Sequence, residues 1–297
     1  MQFFFEVFIG GLLSGVMYAL VALGFVLIYK ASGVFNFAQG AMVFFAALTF
    51  VSILEKGVNF WLAMAITLAA MVVLGLLTER IVLRPLVNQP PITLFMATIG
   101  LTFFVEGIAQ GVWGAQPHGL EIGVQDQPIE WLLDATGVGV SSFDLFAAAV
   151  AGILVAALAL FFQKTRVGRA LRAVADDHQA ALSIGIPLQH IWAIVWGVAG
   201  FVALVAGMLW GARNGVQFAL TFTALKALPV LIIGGFESIP GAIVGGLIIG
   251  AAEKLGEVYL GPYVGGGIEG WFPYVMALLF LLARPEGLFG EKHIDRV

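Results

Sequence analysis

Apolar residues run along the whole chain in blocks of about 20, all but the last long enough to cross hydrocarbon as a helix. The blocks lie near residues 8–29, 37–54, 60–78, 92–113, 143–163, 189–211, 218–235, 239–256 and 271–283. The pattern predicts an all-α polytopic membrane protein with about eight or nine transmembrane or re-entrant helices. Residues 1–297 read as a single transmembrane domain, because no polar stretch between the blocks is long enough for a soluble one. The last block is short and contains Pro273, and "GGFESIPG" interrupts the pair at 218–256, so one of these reads as re-entrant.

Composition agrees with the pattern. The chain is 61% hydrophobic and 11% charged, against about 25% charged residues in soluble domains. Its 38 glycines fit a bundle in which small residues let helix backbones approach closely. Cysteine is absent, which excludes disulfides, thiolate metal sites and cysteine nucleophiles. The opening "MQFFFEVFIGG" has no basic stretch and no small-residue cleavage site, so the first helix is expected to stay in the mature protein. With a formal net charge of −4 and no extended basic patch, nothing points to a nucleic-acid partner.

Basic residues set the orientation. Arg80 and Arg84 lie in 79–91, Lys164, Arg166, Arg169 and Arg172 in 164–188, and Arg284, Lys292 and Arg296 in the tail, so the positive-inside rule puts all three in the cytoplasm. Residues 114–142 contain no Lys or Arg but carry Glu121, Asp126, Glu130 and Asp134, as expected of an outer, periplasmic loop open to a soluble partner.

Three groups of polar or small residues interrupt the apolar blocks. In "GVFNFAQGA", Asn36 and Gln39 have capping-box spacing, with Asn36 as N-cap and Gln39 reaching back; inside a translocation path such a helix start would also present amide groups and a positive dipole end to a solute. Thr98, Thr102, Glu106 and Gln110 fall four apart and share one helix face, on which Glu106 either lines a path or holds two helices together. In "GGFESIPGAIVGG", Gly234 and Gly235 precede a turn at Pro240 and Gly241, and Gly241, Gly245 and Gly246 have close-packing spacing. Lys226 and Glu253, which also interrupt apolar runs, read as residues snorkelling from helix ends.

The stretch "KTRVGRALRAVADDHQAALSIGIPLQHIW", residues 164–192, is too polar to cross a membrane and reads as two short helices stopped at Gly185. Leu171, Val174, Ala180, Ala181 and Ile184 supply its apolar set, with arginines at 166, 169 and 172. It serves either as a basic inside loop or as a docking element.

"GRALRAVADDHQAALSIGI" resembles the cytoplasmic coupling loop of ABC importer permeases of the branched-chain amino acid group. "GVMYALVALGFVLIYKASGVFNFAQGAM" resembles that family's first two helices and "LKALPVLIIGGFESIPGAIVGGLIIGAAE" its C-terminal glycine-rich pair, so the resemblance covers most of the chain. It implies the ABC importer permease fold, a bacterial inner-membrane location, and alternating access driven by separate cytoplasmic ATPase subunits. The coupling loop would be 164–188, with Gly168, Arg169, Arg172, Ala173, Ala180, Ala181, Gly185 and Ile186 matching the family's pattern. Substrate-pathway residues would be Tyr18, Asn36, Gln39, Thr98, Thr102, Glu106 and Gln110. The glycine-rich turn (Gly234, Gly235, Pro240, Gly241, Gly245, Gly246) would act as a hinge or gate.

The expected partners are ATP-binding subunits, a second homologous permease (a heterodimer favoured over a homodimer), a periplasmic substrate-binding protein and the lipid bilayer. No cofactor is expected on this chain; ATP and magnesium belong to the ATPase, since no Walker G-x-x-x-x-G-K-[ST] sequence occurs. It is therefore read as a permease subunit and not an enzyme. The substrates implied are branched-chain amino acids or similar small amino acids, amides or organic acids. The competing expectation is a proton-coupled secondary transporter using Glu106.

Overall fold

In the computed structural model, which describes residues 2–33, 35–86, 89–176 and 178–290, the chain is α-helical. Among these residues the extended pairings are two isolated bridges, His118 with Val216 and Pro128 with Ser141. Lys292 and Arg296 of the basic tail lie outside the described residues.

Among the described residues six helices are long and apolar enough to cross a bilayer: α1 (Gln2–Ser32), α3 (Phe60–Leu77) with its extension to Leu86, α4 (Pro91–Trp113), α6 (Ser142–Lys164), α9 (Leu188–Asn214) and α12 (Ile239–Tyr259). The other three expected blocks are also helical but shorter. They are α2 (Gln39–Glu55), the pair α10 (Leu220–Leu225) and α11 (Ala227–Gly234), and α14 (Phe272–Ala283). At about 1.5 Å per residue, α14 extends about 18 Å against a hydrocarbon core of about 30 Å. Short helices α5 (Glu130–Thr136), α7 (Arg166–Asp176), α8 (His178–Ser183) and α13 (Gly261–Val264) lie between them.

Large apolar side chains cover the outside: Phe103, Phe104, Ile153, Leu278, Leu279 and Leu282 are all exposed. In water that surface would oppose folding, whereas lipid accepts it.

Contacts divide the chain into two units. One comprises residues up to Ala22, Glu121–Ala156 and Lys226 onward; the other comprises Leu23–Leu120 and Ala157–Leu225. In the second unit, α9 packs on α2 and α3, and α2 packs on α4 and α10. Glycines set the spacing. A Cβ on Gly207 would lie 2.6 Å from the Val43 carbonyl oxygen, and one on Gly75 would lie 3.0 Å from that of Trp196.

In the first unit, α12 carries two small-residue faces. Gly241 and Gly245 meet α11 at Gly234 and Val230, while Gly246 and Gly250 meet α1 at Gly15 and Gly11. The second face is a reciprocal pair of small-xxx-small motifs. α1 also fixes its own direction in this unit, because the Gln2 side-chain amide donates to the Thr136 carbonyl at 3.4 Å. Its start is therefore beside the acidic loop expected to face outward.

Candidate functional site

The polar residues of the second unit assemble around the start of α2. Asn36 and Gln39 are completely buried. The Asn36 Oδ1 accepts from the Ala38 N–H at 3.1 Å, and its Nδ2 donates to Gln39 Oε1 at 3.5 Å. Gln39 Nε2 in turn donates to the Ala199 carbonyl of α9 at 3.5 Å. This corrects the capping-box expectation: Ala38 is the N-cap residue, and the Gln39 side chain bonds to the Asn36 side chain and across to α9 instead of to the Asn36 backbone N–H. The helix entry lies within the contact of α2 with α9, where Gln39 Oε1 is taken by the Asn36 amide and Nε2 by the Ala199 carbonyl. Aromatic rings enclose it, with Phe25 stacked on Phe35 at 4.9 Å and Phe37 edge-on to Phe95 at 4.9 Å.

α4 brings its line of polar residues to this cluster. Buried Thr98 donates to the Phe35 carbonyl at 3.2 Å, and Thr102 donates to the Thr98 carbonyl at 2.9 Å. Leu101 and Val105 lie against Ala38 and Ala41, which holds that face toward α2. One turn on, Glu106 is 7% exposed and lies beside the Thr221 hydroxyl of α10. One turn further, Gln110 lines a cavity of about 300 Å³ with Gln116, Gln217, Phe44 and Phe218. Thr98 through Gln110 thus run from a buried amide cluster to a cavity walled by amides and aromatic rings.

The loop after α6 forms the two expected helices, α7 and α8. Thr165 Oγ1 accepts from the Gly168 N–H at 3.2 Å, capping α7. Arg172 donates to the Phe162 carbonyl at 2.7 Å, satisfying the end of α6, and Arg169 donates to the Lys164 carbonyl at 3.4 Å. A Cβ on Gly168 would collide with the Phe162 carbonyl oxygen. α8 ends in a Schellman motif, with the Ile186 N–H on the Ala181 carbonyl and the Gly185 N–H on that of Leu182, both at 3.0 Å. Gly185 has φ +85° there, which a side chain would strain.

Of the loop's apolar set, Leu171, Val174 and Ala181 are buried. Ala180 and Ile184 are not: both are exposed, and with Leu182 they form an apolar tip. The gap between the tip and α9 is a cavity of about 490 Å³ lined by Leu182, Pro187, Leu188, Gln189, Trp192, Glu79 and Arg84. Glu79 is buried and takes Arg84 through both carboxylate oxygens at 3.0 Å. Thr78–Leu83 is a π-helical turn, whose i to i+5 register puts these two residues on one side.

In the first unit the glycine-rich turn is closed from both sides. α11 ends at Gly234, Ser238 caps α12 by accepting from the Gly241 N–H at 3.0 Å, and Pro240 sits in the first turn of α12. The segment after α14 then covers the turn, with the Leu288 and Phe289 N–H groups on the Ile233 and Gly234 carbonyls.

The chain from residue 7 to 283 matches the model of a protein family described as the branched-chain amino acid transport system permease component. The chain belongs to that family. This permease is 26% identical to the high-affinity branched-chain amino acid transport system permease protein LivH of Escherichia coli, over 99% of its own length and 98% of LivH. It is 27% identical to BraD of Pseudomonas aeruginosa, over 97% and 96% of the two chains. Among solved structures, PsaBC from Streptococcus pneumoniae in complex with Fab aligns over 92% of the permease and 89% of its own chain, at 14% identity and a TM-score of 0.44; that likeness carries no argument.

The expected pathway residues of the permease do not form one group. Asn36, Gln39, Thr98 and Thr102 are linked by the contacts above, and Glu106 and Gln110 continue their line. Tyr18 belongs to a different network in the first unit, where its hydroxyl donates to Glu253 Oε1 at 3.1 Å. Lys226 Nζ donates to the same oxygen at 3.0 Å. Glu253 is 3% exposed and the Lys226 side chain 17%, so the snorkelling expectation for both is overturned. Lys226 lies at the break between two short apolar helices and Glu253 within α12, and bonding to each other is favoured there over reaching an interface.

Proposed function

We propose that the chain is the membrane-spanning subunit of an ABC importer for branched-chain amino acids, working by alternating access in the cytoplasmic membrane. The observation that carries this reading is the family match along residues 7–283. In this reading residues 1–297 act as one transmembrane domain, 164–188 as the cytoplasmic coupling loop and 114–142 as the periplasmic loop.

ATP and magnesium belong to separate ATPase subunits, and α7–α8 transmit their closure. The exposed apolar tip at Leu182 and Ile184 supports that role, since an exposed apolar patch favours a covering partner. A second homologous permease completes the membrane part, and a periplasmic binding protein delivers solute. The exposed Trp131, beside Glu130 and Asp134 on the outer loop, is a suitable contact for it.

Solute passes along the line from Gln110 through Glu106 to Thr98, Asn36 and Gln39, with the glycine-rich turn at Gly234, Gly235, Pro240, Gly241, Gly245 and Gly246 as hinge. The cavity at Gln110, Gln116 and Gln217, with two phenylalanines, suits a small amphipathic solute better than a sugar.

The test is uptake of radiolabelled L-leucine into liposomes holding the purified complex and its binding protein. Uptake that requires ATP inside the ATPase-accessible compartment is expected. Uptake driven by a proton gradient without ATP, and abolished by Glu106→Gln, would replace this reading with a proton-coupled transporter.

A further inference from the structure

Pro229 has no N–H to bond the carbonyl four residues earlier, and its ring crowds that carbonyl, so the apolar helix is interrupted between α10 and α11. Lys226 sits in the interruption, as the N-cap residue of α11. Broken helices of this kind are where membrane transporters place solute sites, because the break frees backbone groups and admits charge.

The partner of Lys226 is Glu253, which lies well within α12 and uses only one of its carboxylate oxygens. Oε1 accepts from both Lys226 and Tyr18, whereas buried Oε2 takes no hydrogen bond among the described residues. A buried carboxylate oxygen left over beside an ammonium is an acceptor in reserve. A structural pair would be expected to satisfy both oxygens, as Glu79 does with Arg84.

We propose that Lys226 and Glu253 form a recognition site for the zwitterionic head of an α-amino acid. The solute carboxylate takes Lys226 and the solute ammonium takes Glu253, with Tyr18 holding the carboxylate of Glu253 in place. Both states are electroneutral. Empty, the two side chains neutralise each other; occupied, each is neutralised by one end of the solute, so no unpaired charge is left in the bilayer. An amide, a sugar or a simple carboxylate supplies at most one of the two partners and would leave the other protein charge bare. The assignment rests on the importer reading above and adds to the polar line of the second unit a separate site in the first unit, whose residues select an α-amino acid.

The test uses the purified complex without its binding protein, so that the membrane subunits alone are probed with radiolabelled L-leucine. Unlabelled leucine is expected to displace the label, whereas 4-methylpentanoate, which lacks the ammonium, and 3-methylbutylamine, which lacks the carboxylate, should not at a 100-fold excess. Lys226→Gln with Glu253→Gln removes both charges together and should weaken leucine binding at least tenfold while the ATPase subunits still co-purify. Tyr18→Phe, which keeps both charges, should weaken it about threefold, and covers the case in which the double variant does not assemble. Displacement by either analogue as effective as by leucine, no leucine binding by the parent complex, or undiminished binding by the double variant would overturn the assignment. In each of those outcomes, ATP-driven uptake by the parent complex would leave the importer reading standing.

Discussion

Gly15 and Gly246 face each other so closely that a Cβ on Gly15 would lie 2.5 Å from the Gly246 carbonyl oxygen. The contact is backbone against backbone and no rotamer change can relieve it. Gly246→Val should therefore destabilise the purified permease by about 1–3 kcal/mol or more, as overpacking does. Gly10→Ala is the control, since a Cβ there meets nothing within 4 Å, and it should leave the melting temperature unchanged or slightly raised. Thermal unfolding of the two variants side by side reads the difference.

The coupling loop is best tested at its tip. Ala181 is buried and Gly185 has a positive φ, so aspartate at either position would damage the loop itself as well as any docking surface. Ile184 is 74% exposed. Ile184→Asp should leave the melting temperature of the permease unchanged while lowering both ATPase co-purification and uptake at least tenfold. Full recovery of the ATPase with normal uptake would remove the tip from the docking surface.

Glu79 and Arg84 make a bidentate pair on a π-helical turn. Arg84→Met alone strands a buried carboxylate and should cost about 2 kcal/mol, below the roughly 3–5 kcal/mol of a fully buried pair because Arg84 is partly exposed. Adding Glu79→Gln should restore most of that loss. Chemical unfolding of both variants checks it, and equal stability of the parent and the single variant would show that the pair contributes little.

Glu106→Gln keeps the shape of the side chain beside Thr221 and removes its charge. With expression matched, uptake should fall at least fivefold and ATPase co-purification should be unchanged. Full uptake would take Glu106 out of the path and leave it as a residue bridging α4 and α10.

The nine apolar blocks were legible because hydrocarbon selects for run length, and every block is helical. What composition does not encode is where a helix is interrupted or with whom it pairs. Asn36 and Gln39 have the local spacing of a capping box, yet Gln39 bonds to Ala199, 160 positions away, and such a partner leaves no mark in a nine-residue window. Gly11 and Gly15 carry the same small-xxx-small spacing as the glycines singled out near the C-terminus, and that signal was available in "GGLLSG". Lys226 and Glu253 read as snorkelling from helix ends, whereas they bond to each other. Pro229, three residues after Lys226, was the available sign that the lysine marks a break inside a block.

The central claim is that this chain works as the membrane subunit of an ATP-driven importer. The most direct measurement is affinity purification of the tagged chain from its native membranes, with stoichiometric companions identified by mass spectrometry. The account predicts an ATP-binding subunit and a second, homologous permease in fixed ratio. Recovery of the chain alone, in a state that accumulates leucine in liposomes under a proton gradient, would contradict it.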